Sequence, residues 1–447
     1  MKKVFINQSH LFLVILIISL LAGCGNNAVQ PATTTENAAN EATGSASAPI
    51  PIRFASYKIG VNVGGKAELE IINKFKEDFA GKYELIVEEI PDEQGYLEKM
   101  KVLISSKDLP NIVDGKGNRD LAVEAGVPVE IEEMIRADEQ YLYEIGGEAL
   151  IDSQRSPIDN KVYSVPNTKM AFGYYYNKEM FEAAGITPAK TWDEFITNCQ
   201  ALKDAGYTPL AINVAWMGGA TLTSYLCSNS ERGKEIVNQA SGMWKVFQEP
   251  EIYQGINFLV DLFNNYSTPN CLDDLSELQM STFCQGQAAI LPNGSWQITN
   301  FYDEKESLPG FDKKVGCALF PNDSCLTSYD VGSYITGDSP EVIEGAFEFL
   351  KAYTNAEGQK IWLELSNTLP AGPAVTMNDE FKSENPILAE MVEVLSKAKT
   401  TGRNLDALMP NAVWTQYVRE LQAIAQKTKT VEQAAKDLET LAGQSAN

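Results

Sequence analysis

The feature that most constrains the fold is an alternation of strand-like and helix-like segments at the start of the folded body. Short β-rich runs at 51–56, 83–90 and 110–114 are separated by amphipathic stretches at 66–79 and 95–106. In both stretches apolar residues recur at helical spacing, which predicts two helices that each bury one face. A β-α-β-α-β order predicts a parallel sheet with helices on both faces, and therefore an α/β fold.

The same spacing predicts which residues lie on the buried helix faces. They are Leu69, Ile72, Phe75 and Phe79 in the first helix and Leu97, Met100, Leu103 and Ile104 in the second. In a sheet of this type, ligands bind outside the carboxyl ends of the strands. Those ends are the segments that follow Ser56 and Val113.

The amino terminus has the pattern of an export signal. Lys2 and Lys3 precede an apolar run from Leu11 to Leu21, which is about half as long as a membrane-spanning helix. A basic start, a short apolar core and small residues are typical of a secretory signal peptide rather than of a membrane anchor. The sequence Leu21-Ala22-Gly23-Cys24 resembles the bacterial lipobox, which implies lipidation of Cys24.

The segment after Cys24 predicts a flexible tether. Residues 25–49 contain no aromatic residue and a single valine, Val29. So few apolar side chains cannot offset the entropy lost on ordering. We therefore expect a signal peptide at 1–23, a disordered tether at 24–50, and a folded body held by lipid at the extracytoplasmic face of a bacterial cell membrane.

The acidic composition excludes several classes of partner. The chain carries a formal charge of −24 at pH 7, and loss of Lys2 and Lys3 with the signal would make the mature charge more negative. So acidic a surface repels nucleic acid and anionic lipid head groups. Membrane contact is thus expected through the lipid anchor alone, and no other stretch is apolar enough to cross a bilayer.

Histidine and cysteine usage excludes much catalytic chemistry. The single histidine, His10, lies in the signal peptide, so a Ser-His-Asp triad, a Cys-His dyad and histidine-ligated zinc are excluded. We expect no cofactor and no metal. Six cysteines follow Cys24 without C-x-x-C spacing: Cys199, Cys227, Cys271, Cys284, Cys317 and Cys325. They are either partly paired, with Cys317 and Cys325 as the preferred pair, or all buried and free.

Five blocks of sequence carry a resemblance to a known family. They are LPNIVDG (109–115), VYSVPNTKMAFGYYYNKEMFEAAGITPAKTWDEF (162–195), FCQGQAAILPNGSW (283–296), SPEVIEGAFEFLKAYTNAEGQ (339–359) and NTLPA (367–371). In this order they resemble the family 1 extracellular solute-binding proteins, the sugar-binding subunits of bacterial ABC importers. Asn111 stands where the family usually has aspartate.

The resemblance implies a two-lobed periplasmic-binding-protein fold of type II, like that of the maltodextrin-binding protein. Three hinge crossings are expected near Pro166, Pro321 and Leu369. The N-terminal α/β lobe would combine 51–165 with 321–368, and the C-terminal α/β lobe 166–320 with 369–447. Ligand would bind in the cleft between the lobes, and closure about the hinges would trap it.

Tryptophans are the first candidates for the ligand site, because a sugar ring presents an apolar face that an aromatic ring can cover. Trp296 follows the buried run AAILPNG and matches the stacking tryptophan of the family. Trp216 and Trp414 match further cleft positions. The other three, Trp192, Trp244 and Trp362, lie in a capping box or in helical patterns and are expected in the core.

Five polar residues complete the predicted site. Tyr57 and Asp114 end the first and third strands, Asn293 lies in a predicted turn before Trp296, Asp330 follows the second crossing, and Arg119 lies in the loop after the third strand. Carboxylates and amides suit a sugar site because their oxygens can accept hydrogen bonds from two hydroxyls.

The resemblance thus implies a non-enzymatic, monomeric receptor that captures a carbohydrate, expected to be an oligosaccharide, and delivers it to ABC transporter permease subunits. Two alternatives stay open. One is a secreted glycan-active enzyme, for which Asp273 and Asp274 could be offered as acid and base. Such enzymes hold two carboxyls about 5–9 Å apart across a cleft, which sequence adjacency does not indicate. The other is the same fold with an amino acid, a peptide or a metal as ligand.

Overall fold

The computed structural model describes residues 48–60, 64–90, 92–239, 246–273 and 276–445. The predicted signal peptide, Cys24 with its expected lipid, most of the tether, Trp244 and Asp274 lie outside the described residues. Among the helices that are described, none is both long and apolar enough to cross a membrane.

Two β-sheets form the framework of the described body. In chain order their strands are β1 (Ile50–Ser56), β2 (Tyr83–Glu89), β3 (Ile112–Asp114), β4 (Ser164–Val165), β5 (Lys169–Asn177), β6 (Thr208–Leu210), β7 (Ala288–Gly294), β8 (Val315–Ala318), β9 (Ser324–Tyr329), β10 (Ser333–Ile335) and β11 (Thr400–Gly402). Among the described residues after β10, β11 separates two groups of helices.

Helices fill the connections between these strands. In chain order they are α1 (Gly65–Asp78), α2 (Glu93–Ser106), α3 (Arg119–Glu124), α4 (Glu132–Arg136), α5 (Glu139–Ile145), α6 (Gly147–Gln154), α7 (Lys178–Ala183), α8 (Trp192–Asp204), α9 (Trp216–Asn229), α10 (Glu231–Val237), α11 (Pro250–Tyr266), α12 (Ser276–Cys284), α13 (Ile298–Tyr302), α14 (Pro340–Thr354), α15 (Ala356–Ser366), α16 (Asp379–Glu384), α17 (Pro386–Leu395), α18 (Asn411–Ala425) and α19 (Val431–Ser445). The predicted β1-α1-β2-α2-β3 order is confirmed.

The first sheet has the strand order β2-β1-β3-β10-β4. β1 pairs in parallel with β2 and with β3, as the alternating pattern predicts. β10 pairs antiparallel with β3, so that Ser333 lies opposite Asp114, and β4 pairs antiparallel with β10. Because parallel strands point the same way, the carboxyl ends of β1 and β3 meet at one edge of this sheet.

The second sheet has the order β11-β9-β5-β7-β6, and β8 also pairs with β5. β5 is its central strand and pairs antiparallel with β7, β8 and β9. Every residue of β7 is buried, which explains why its sequence is a continuous apolar run rather than an alternating one. The combination of two mixed sheets with covering helices confirms the predicted two-lobed α/β fold.

β9 corrects the predicted position of the second crossing. The resemblance places that crossing near Pro321, but residues 326–329 of β9 pair with 169–172 of β5. Pro321 instead opens a tight turn in which Asn322 and Asp323 have positive φ, and a bridge between Phe320 and Ser324 closes the turn. The turn returns the chain to the same sheet, so the passage to the first sheet comes between β9 and β10.

The first and third crossings lie side by side. The Thr168 hydroxyl and the Lys169 backbone N–H both donate to the carbonyl oxygen of Leu369, at 2.8 and 3.0 Å. Thr168 also forms an isolated antiparallel bridge with Pro370. The chain segments near Pro166 and Leu369, where two crossings are predicted, are therefore direct neighbours.

A buried glutamine joins the first two crossings. The Gln154 side chain donates to the carbonyl oxygen of Asp330 at 3.0 Å and accepts from the Ser164 hydroxyl at 3.0 Å. Gly332 has a φ of +76°, and a Cβ there would lie 2.4 Å from the backbone of Val165. Glycine is therefore required where the second crossing passes the first.

The buried helix faces agree with the predicted spacing at most positions. Ile72, Phe75, Met100 and Ile104 are buried, and Phe79, Leu97 and Leu103 are partly buried. Leu69 is the exception, because its side chain is 45% exposed. Its neighbour Glu68 is buried instead and accepts hydrogen bonds from the hydroxyls of Ser56 and Tyr353, so this polar contact sets the rotation of the first turn of α1.

The remaining core predictions concern tryptophan and cysteine. Trp192 and Trp362 are buried as expected. Within the described residues, all six cysteines after Cys24 are buried and free, so the preferred pairing of Cys317 with Cys325 is wrong. The two lie on different strands, opposite Tyr175 and Thr401 respectively. Burial raises the pKa of both thiols, which disfavours the reactive thiolate.

Candidate functional site

An aromatic cluster forms in the second sheet where β5, the end of β7 and the start of α9 meet. Phe172 lies edge to face against Trp296, with ring centroids 4.8 Å apart, and 6.1 Å from Trp216. The two indoles are 6.0 Å apart. Phe172 is only 4% exposed, whereas both tryptophans are partly exposed. The phenylalanine therefore supports two indoles that keep accessible surface. We call these three residues the aromatic platform.

A glycine sets the position of Trp296. β7 ends at Gly294, and Ser295–Gln297 form one turn of 3-10 helix. A Cβ on Gly294 would lie 2.2 Å from the Trp296 ring, so only glycine lets the indole fold back over the strand end. The Tyr175 hydroxyl donates to the carbonyl oxygen of Gly294 at 2.8 Å. This bond fixes the backbone on which the indole rests.

Asn293 has a different place from the one predicted. It belongs to β7, opposite Gly173, and it is completely buried, so the predicted Pro-Asn-Gly turn is wrong. Its side-chain amide donates to Gln297 Oε1 at 3.3 Å, and its Oδ1 accepts from the Gly294 backbone N–H at 2.8 Å. Asn293 therefore braces the turn that carries Trp296.

Trp414 lies next to the platform through a glycine of α9. A Cβ on Gly219 would lie 3.0 Å from the Trp414 ring and 3.2 Å from Asn404 Oδ1. Gly219 is three residues after Trp216, so it lies on the same side of α9. Trp414 also stacks on Tyr417 in its own helix, with centroids 5.4 Å apart. The three predicted tryptophans thus lie around one end of α9.

A polar cluster forms at the carboxyl edge of the first sheet. Lys58 Nζ forms an ion pair with Asp114 Oδ2 and lies 4.4 Å from the centre of the Tyr57 ring. The Tyr57 ring lies 5.1 Å from that of Tyr96, whose hydroxyl donates to the Asp114 carbonyl oxygen at 3.1 Å. The predicted residues Tyr57 and Asp114 therefore do come together, and Lys58 joins them.

The charges of this pair stabilise each other. Burial by itself would raise the pKa of Asp114, but the adjacent Lys58 ammonium and the Lys116 backbone N–H hold it below its ordinary value. Burial would lower the pKa of Lys58, and Asp114 holds it well above its ordinary value. The side chains of Lys58 and Asp114 are 17% and 18% exposed, so the pair keeps a small open face on which hydroxyls could bind.

Asp330 and Arg119 flank this pair. Asp330 Oδ1 accepts from the Val331 backbone N–H at 2.8 Å, and Ser333, three residues later, lies opposite Asp114 in the first sheet. Arg119 begins α3 and forms an ion pair with Asp120 at 2.9 Å, with its own side chain 13% exposed. Both predicted residues therefore lie at the edge where β3 ends.

A pH-dependent stability difference is expected for Asp330→Asn. Burial, and then the charge of Asp114, raise the pKa of Asp330 above its ordinary value of 3.8. A carboxyl whose pKa is raised by folding lowers the stability of the fold as the pH rises through that interval. Asparagine keeps the acceptor for the Val331 N–H and removes the charge. The variant should therefore melt at a higher temperature than the wild type at pH 7.

The advantage of Asp330→Asn should disappear below about pH 3.8, where the wild-type carboxyl is protonated in both states. Thermal melts of both proteins across this pH range measure it. Asp338→Asn, on an exposed aspartate, is the matched control and should show no such trend. A variant that is less stable than the wild type at pH 7 would contradict the assigned environment of Asp330.

Sequence reasoning missed three residues of these clusters. Lys58 lies one residue after Tyr57, which was predicted to end the first strand, so its position could have been noted. Phe172 lies within the aromatic-rich run of β5, and Asn404 follows β11, which has only three residues, so neither has a signal of its own in the sequence. Among the described residues no group of three or more histidine, cysteine, aspartate or glutamate side chains is placed to hold a metal ion.

The chain matches a known family over most of its length. A sequence model of the bacterial extracellular solute-binding proteins matches residues 70–390. The chain therefore belongs to the bacterial extracellular solute-binding protein family. Members of this family are binding proteins rather than enzymes.

One curated relative is a multiple sugar-binding protein of Streptococcus mutans serotype c, which is 27% identical over 255 residues. The match covers 51% of this chain and 57% of the relative, so the chain matches little more than half the length of that protein.

Solved structures show the same fold. A chitin oligosaccharide binding protein superimposes with a TM-score of 0.74 at 22% identity, covering 89% of this chain and 100% of that one. A Streptococcus pneumoniae solute-binding protein in complex with the blood group A-trisaccharide has a TM-score of 0.70 at 18% identity, covering 88% of this chain and 98% of that one.

Proposed function

We propose that this protein is an extracytoplasmic receptor that captures a carbohydrate, with an oligosaccharide as the expected ligand, and delivers it to the permease of an ABC importer. The observation that carries the proposal is the aromatic platform of Phe172, Trp216 and Trp296, with two partly exposed indoles held 6.0 Å apart. The flat face of an indole can stack on the C–H face of a sugar ring, and the hydroxyls at the edge of the ring stay free for hydrogen bonds. The names of the relatives point to the same class of ligand.

The polar cluster supplies the complementary half of such a site. Lys58 offers N–H donors, and Asp114 and Asp330 offer carboxylate acceptors. A sugar hydroxyl both donates and accepts hydrogen bonds, so these side chains can satisfy both of its roles. The Lys58–Asp114 ion pair and the Tyr96 hydrogen bond hold these groups in place before ligand arrives. A pre-organised polar site needs less ordering when it binds, which favours affinity.

The two groups lie on different sheets, which supports a closing mechanism. The platform belongs to the second sheet and the polar cluster to the first, and the sheets are joined through the crossings near Pro166, Gly332 and Leu369. A ligand that touches both groups would favour the closed state over the open one. Such a ligand shifts the population by as much as its affinities for the two states differ.

Closure is expected to be visible in solution. Isothermal titration calorimetry with a panel of oligosaccharides should identify a ligand, and small-angle X-ray scattering with that ligand should show a smaller radius of gyration than without it. Gly332→Ala, which strains the second crossing, serves as a hinge variant in which the change should be reduced. Tight binding with an unchanged scattering profile would contradict the closing mechanism.

The same titrations separate a receptor from a glycan-active enzyme. A receptor returns the oligosaccharide intact after long incubation, whereas an enzyme shortens it. Chromatography of the recovered sugar measures this, and accumulation of products in proportion to protein concentration would replace the receptor proposal. Asp273, one of the two carboxyls considered for catalysis, lies in the loop after α11.

Membrane attachment through Cys24 is part of the proposal and is supported by the Leu21-Ala22-Gly23-Cys24 sequence. Cys24→Ser should release the protein from the membrane fraction or leave it as the unprocessed precursor. Fractionation followed by mass measurement of the mature chain checks both results. Cys199→Ser, at a cysteine buried in α8, is the matched control and should stay membrane-bound. Normal processing and attachment of the Cys24 variant would exclude lipid anchoring at this residue.

A further inference from the structure

A buried set of hydrogen bonds lies beside the polar cluster of the first sheet. Glu68, in the first turn of α1, is only 1% exposed. Its Oε2 accepts from the hydroxyl of Ser56 at the end of β1, and its Oε1 accepts from the hydroxyl of Tyr353 in the last turn of α14, at 2.6 Å. The carboxylate thus joins three elements, with partners up to 285 positions away in the chain. We call Tyr353, Glu68 and Ser56 the buried relay.

The buried relay ends on the turn that carries the polar cluster. Ser56 Oγ donates to the carboxylate of Glu68. The same oxygen accepts from the backbone N–H of Lys58 at 3.0 Å and from that of Ile59 at 3.4 Å. A serine hydroxyl has one hydrogen and two lone pairs, so its bonding capacity is fully used. When the carboxylate fixes the direction of the hydrogen, it also directs the lone pairs toward the turn.

The turn is confined by α1 as well. The helix begins at Gly65, where a Cβ would lie 2.5 Å from the carbonyl oxygen of Lys58. Helix and turn are therefore in direct contact. The side chain of Lys58 extends from this turn to its ion pair with Asp114. The position of the ammonium group thus depends on a backbone that Ser56 and α1 hold together.

The chemistry of Glu68 indicates that core packing is not the reason for a carboxyl at this position. Burial raises the pKa of Glu68, because a carboxylate loses its hydration when it is buried. The two groups that donate to it are neutral hydroxyls, which stabilise a carboxylate less than a charged donor would. An apolar side chain would fill the same space at a lower cost. The carboxyl contributes the fixed direction of two hydroxyls instead.

We infer that Glu68 is a positioning residue of the carbohydrate site, which holds the turn of Tyr57 and Lys58 in place through Ser56 without touching the ligand. The inference rests on the proposed function and adds to it a residue behind the polar cluster. A binding group that is already in place loses less freedom when the ligand arrives. Loss of the buried relay should therefore weaken ligand binding even though Lys58 and its carboxylate partner are both present.

Hydrogen–deuterium exchange tests the buried relay in the protein without ligand. The amide hydrogens of Lys58 and Ile59 are bonded to the serine of the relay, so the peptide that contains them should exchange slowly. Tyr353→Phe removes one hydroxyl and should speed this exchange about three- to tenfold, the size expected for one hydrogen bond. Tyr141→Phe, which removes a buried hydroxyl bonded to α14 at 2.7 Å, is the matched control and should leave the peptide unchanged. Equal exchange in the wild type and in Tyr353→Phe would overturn the inference.

Calorimetric titrations test the consequence for binding, with a panel of oligosaccharides that includes maltotriose, cellotriose and chitotriose as probes. Ser56→Ala and Tyr353→Phe should each weaken binding about three- to tenfold, and Tyr141→Phe should not. The double variant Ser56→Ala/Tyr353→Phe should lose less than the product of the two single losses, because both act through one carboxylate. Losses that simply multiply would show that the two hydroxyls act independently of Glu68.

Two substitutions of Glu68 separate hydrogen bonding from charge. Glu68→Met fills a similar space but accepts from neither hydroxyl, and should weaken binding of the probe at least tenfold. Glu68→Gln also removes the charge but keeps an acceptor oxygen, and should bind within about threefold of the wild type. Equal losses in both variants would show that the charge of Glu68 matters and its hydrogen bonds do not. The variants that lack one hydroxyl carry the test if Glu68→Met does not fold.

Failure of this inference differs from failure of the proposed function. If a probe binds the wild type and all the relay variants equally tightly, the protein is still a carbohydrate receptor and only the role of Glu68 is wrong. If no saccharide of the panel binds the wild type or raises its melting temperature, the proposed function fails. The exchange measurement needs no ligand, so it still decides whether the buried relay holds the turn at Lys58.

Discussion

Trp296→Ala is expected to weaken binding of the carbohydrate ligand by about tenfold to several hundredfold. Stacking contributes about 0.5–1.5 kcal/mol beyond simple burial, the lost contact area adds about 25 cal/mol per Å², and each 1.4 kcal/mol is a factor of ten. The melting temperature without ligand should fall only moderately, because the indole is partly exposed and packs on Phe172 and Trp216 at the site rather than deep in the core. Calorimetric titration and thermal melts of the same sample measure both effects.

Two further variants control for packing. Trp192→Ala removes an indole that is buried among Phe195, Tyr225 and Phe258, and should cost about 3–5 kcal/mol of unfolding free energy with little specific effect on affinity. Trp296→Phe keeps an aromatic face and should recover part of the lost affinity. If Trp296→Ala behaves like Trp192→Ala, with a large drop in melting temperature and unchanged affinity, Trp296 belongs to the core and the platform assignment is wrong.

Asp114→Ala is expected to cost about 3 kcal/mol of unfolding free energy at neutral pH, because it leaves the Lys58 ammonium largely buried without its carboxylate. The estimate is at the lower end of the range for buried pairs, since both side chains keep some exposed surface. The ligand should bind at least tenfold more weakly, because the variant loses an acceptor and the position of Lys58. Urea denaturation and calorimetry measure the two losses.

The pH dependence and the partner variant sharpen this test. The pKa of Asp114 is lower in the folded state than its ordinary value of 3.8, so the stabilisation is present above that pH and is lost as the pH falls below it. The double variant Lys58→Met/Asp114→Asn should recover more than half of the loss in stability, because no charge stays buried.

An exposed ion pair provides the comparison. Arg53 and Asp108 are joined at 2.9 Å, with side chains 46% and 70% exposed, so Asp108→Ala should cost less than about 1 kcal/mol. Equal losses for Asp108→Ala and Asp114→Ala would mean that the Lys58–Asp114 pair has no special role in the fold.

The carboxyl edge of the first sheet shows how far local patterns reach. Tyr57 and Asp114 were predicted because each ends a strand of a β-α-β unit, and parallel pairing of β1 with β3 brings them to one edge. Lys58 is the residue after Tyr57, and only its ion pair with Asp114 distinguishes it from other lysines in loops. Residue type and spacing indicate a strand end, but they do not indicate which loop side chain turns inward.

The second sheet shows where such patterns fail. Trp296 is predicted at the site because it follows a buried apolar run and matches the stacking tryptophan of the family. The strand before it, however, continues through Asn293 to Gly294, which buries the asparagine. Leu69 was expected in the core because of its helical spacing, but hydrogen bonds from Ser56 and Tyr353 to Glu68 place the carboxylate there instead. In both cases contacts with residues distant in sequence outweigh the local preference.

The sequence alone is enough to recognise the export pattern, the acidic charge, the single histidine and the α/β order of the first lobe, because these follow from composition and from periodicities of a few residues. The choice of tryptophans follows from the resemblance to the family. The tertiary structure was needed to show that the chain stays in the second sheet through β9, that Phe172 supports two indoles, and that Lys58 pairs with Asp114. Lys58 and Asp114 are 56 positions apart in the chain, and a contact over that distance depends on how the strands pair rather than on any local pattern.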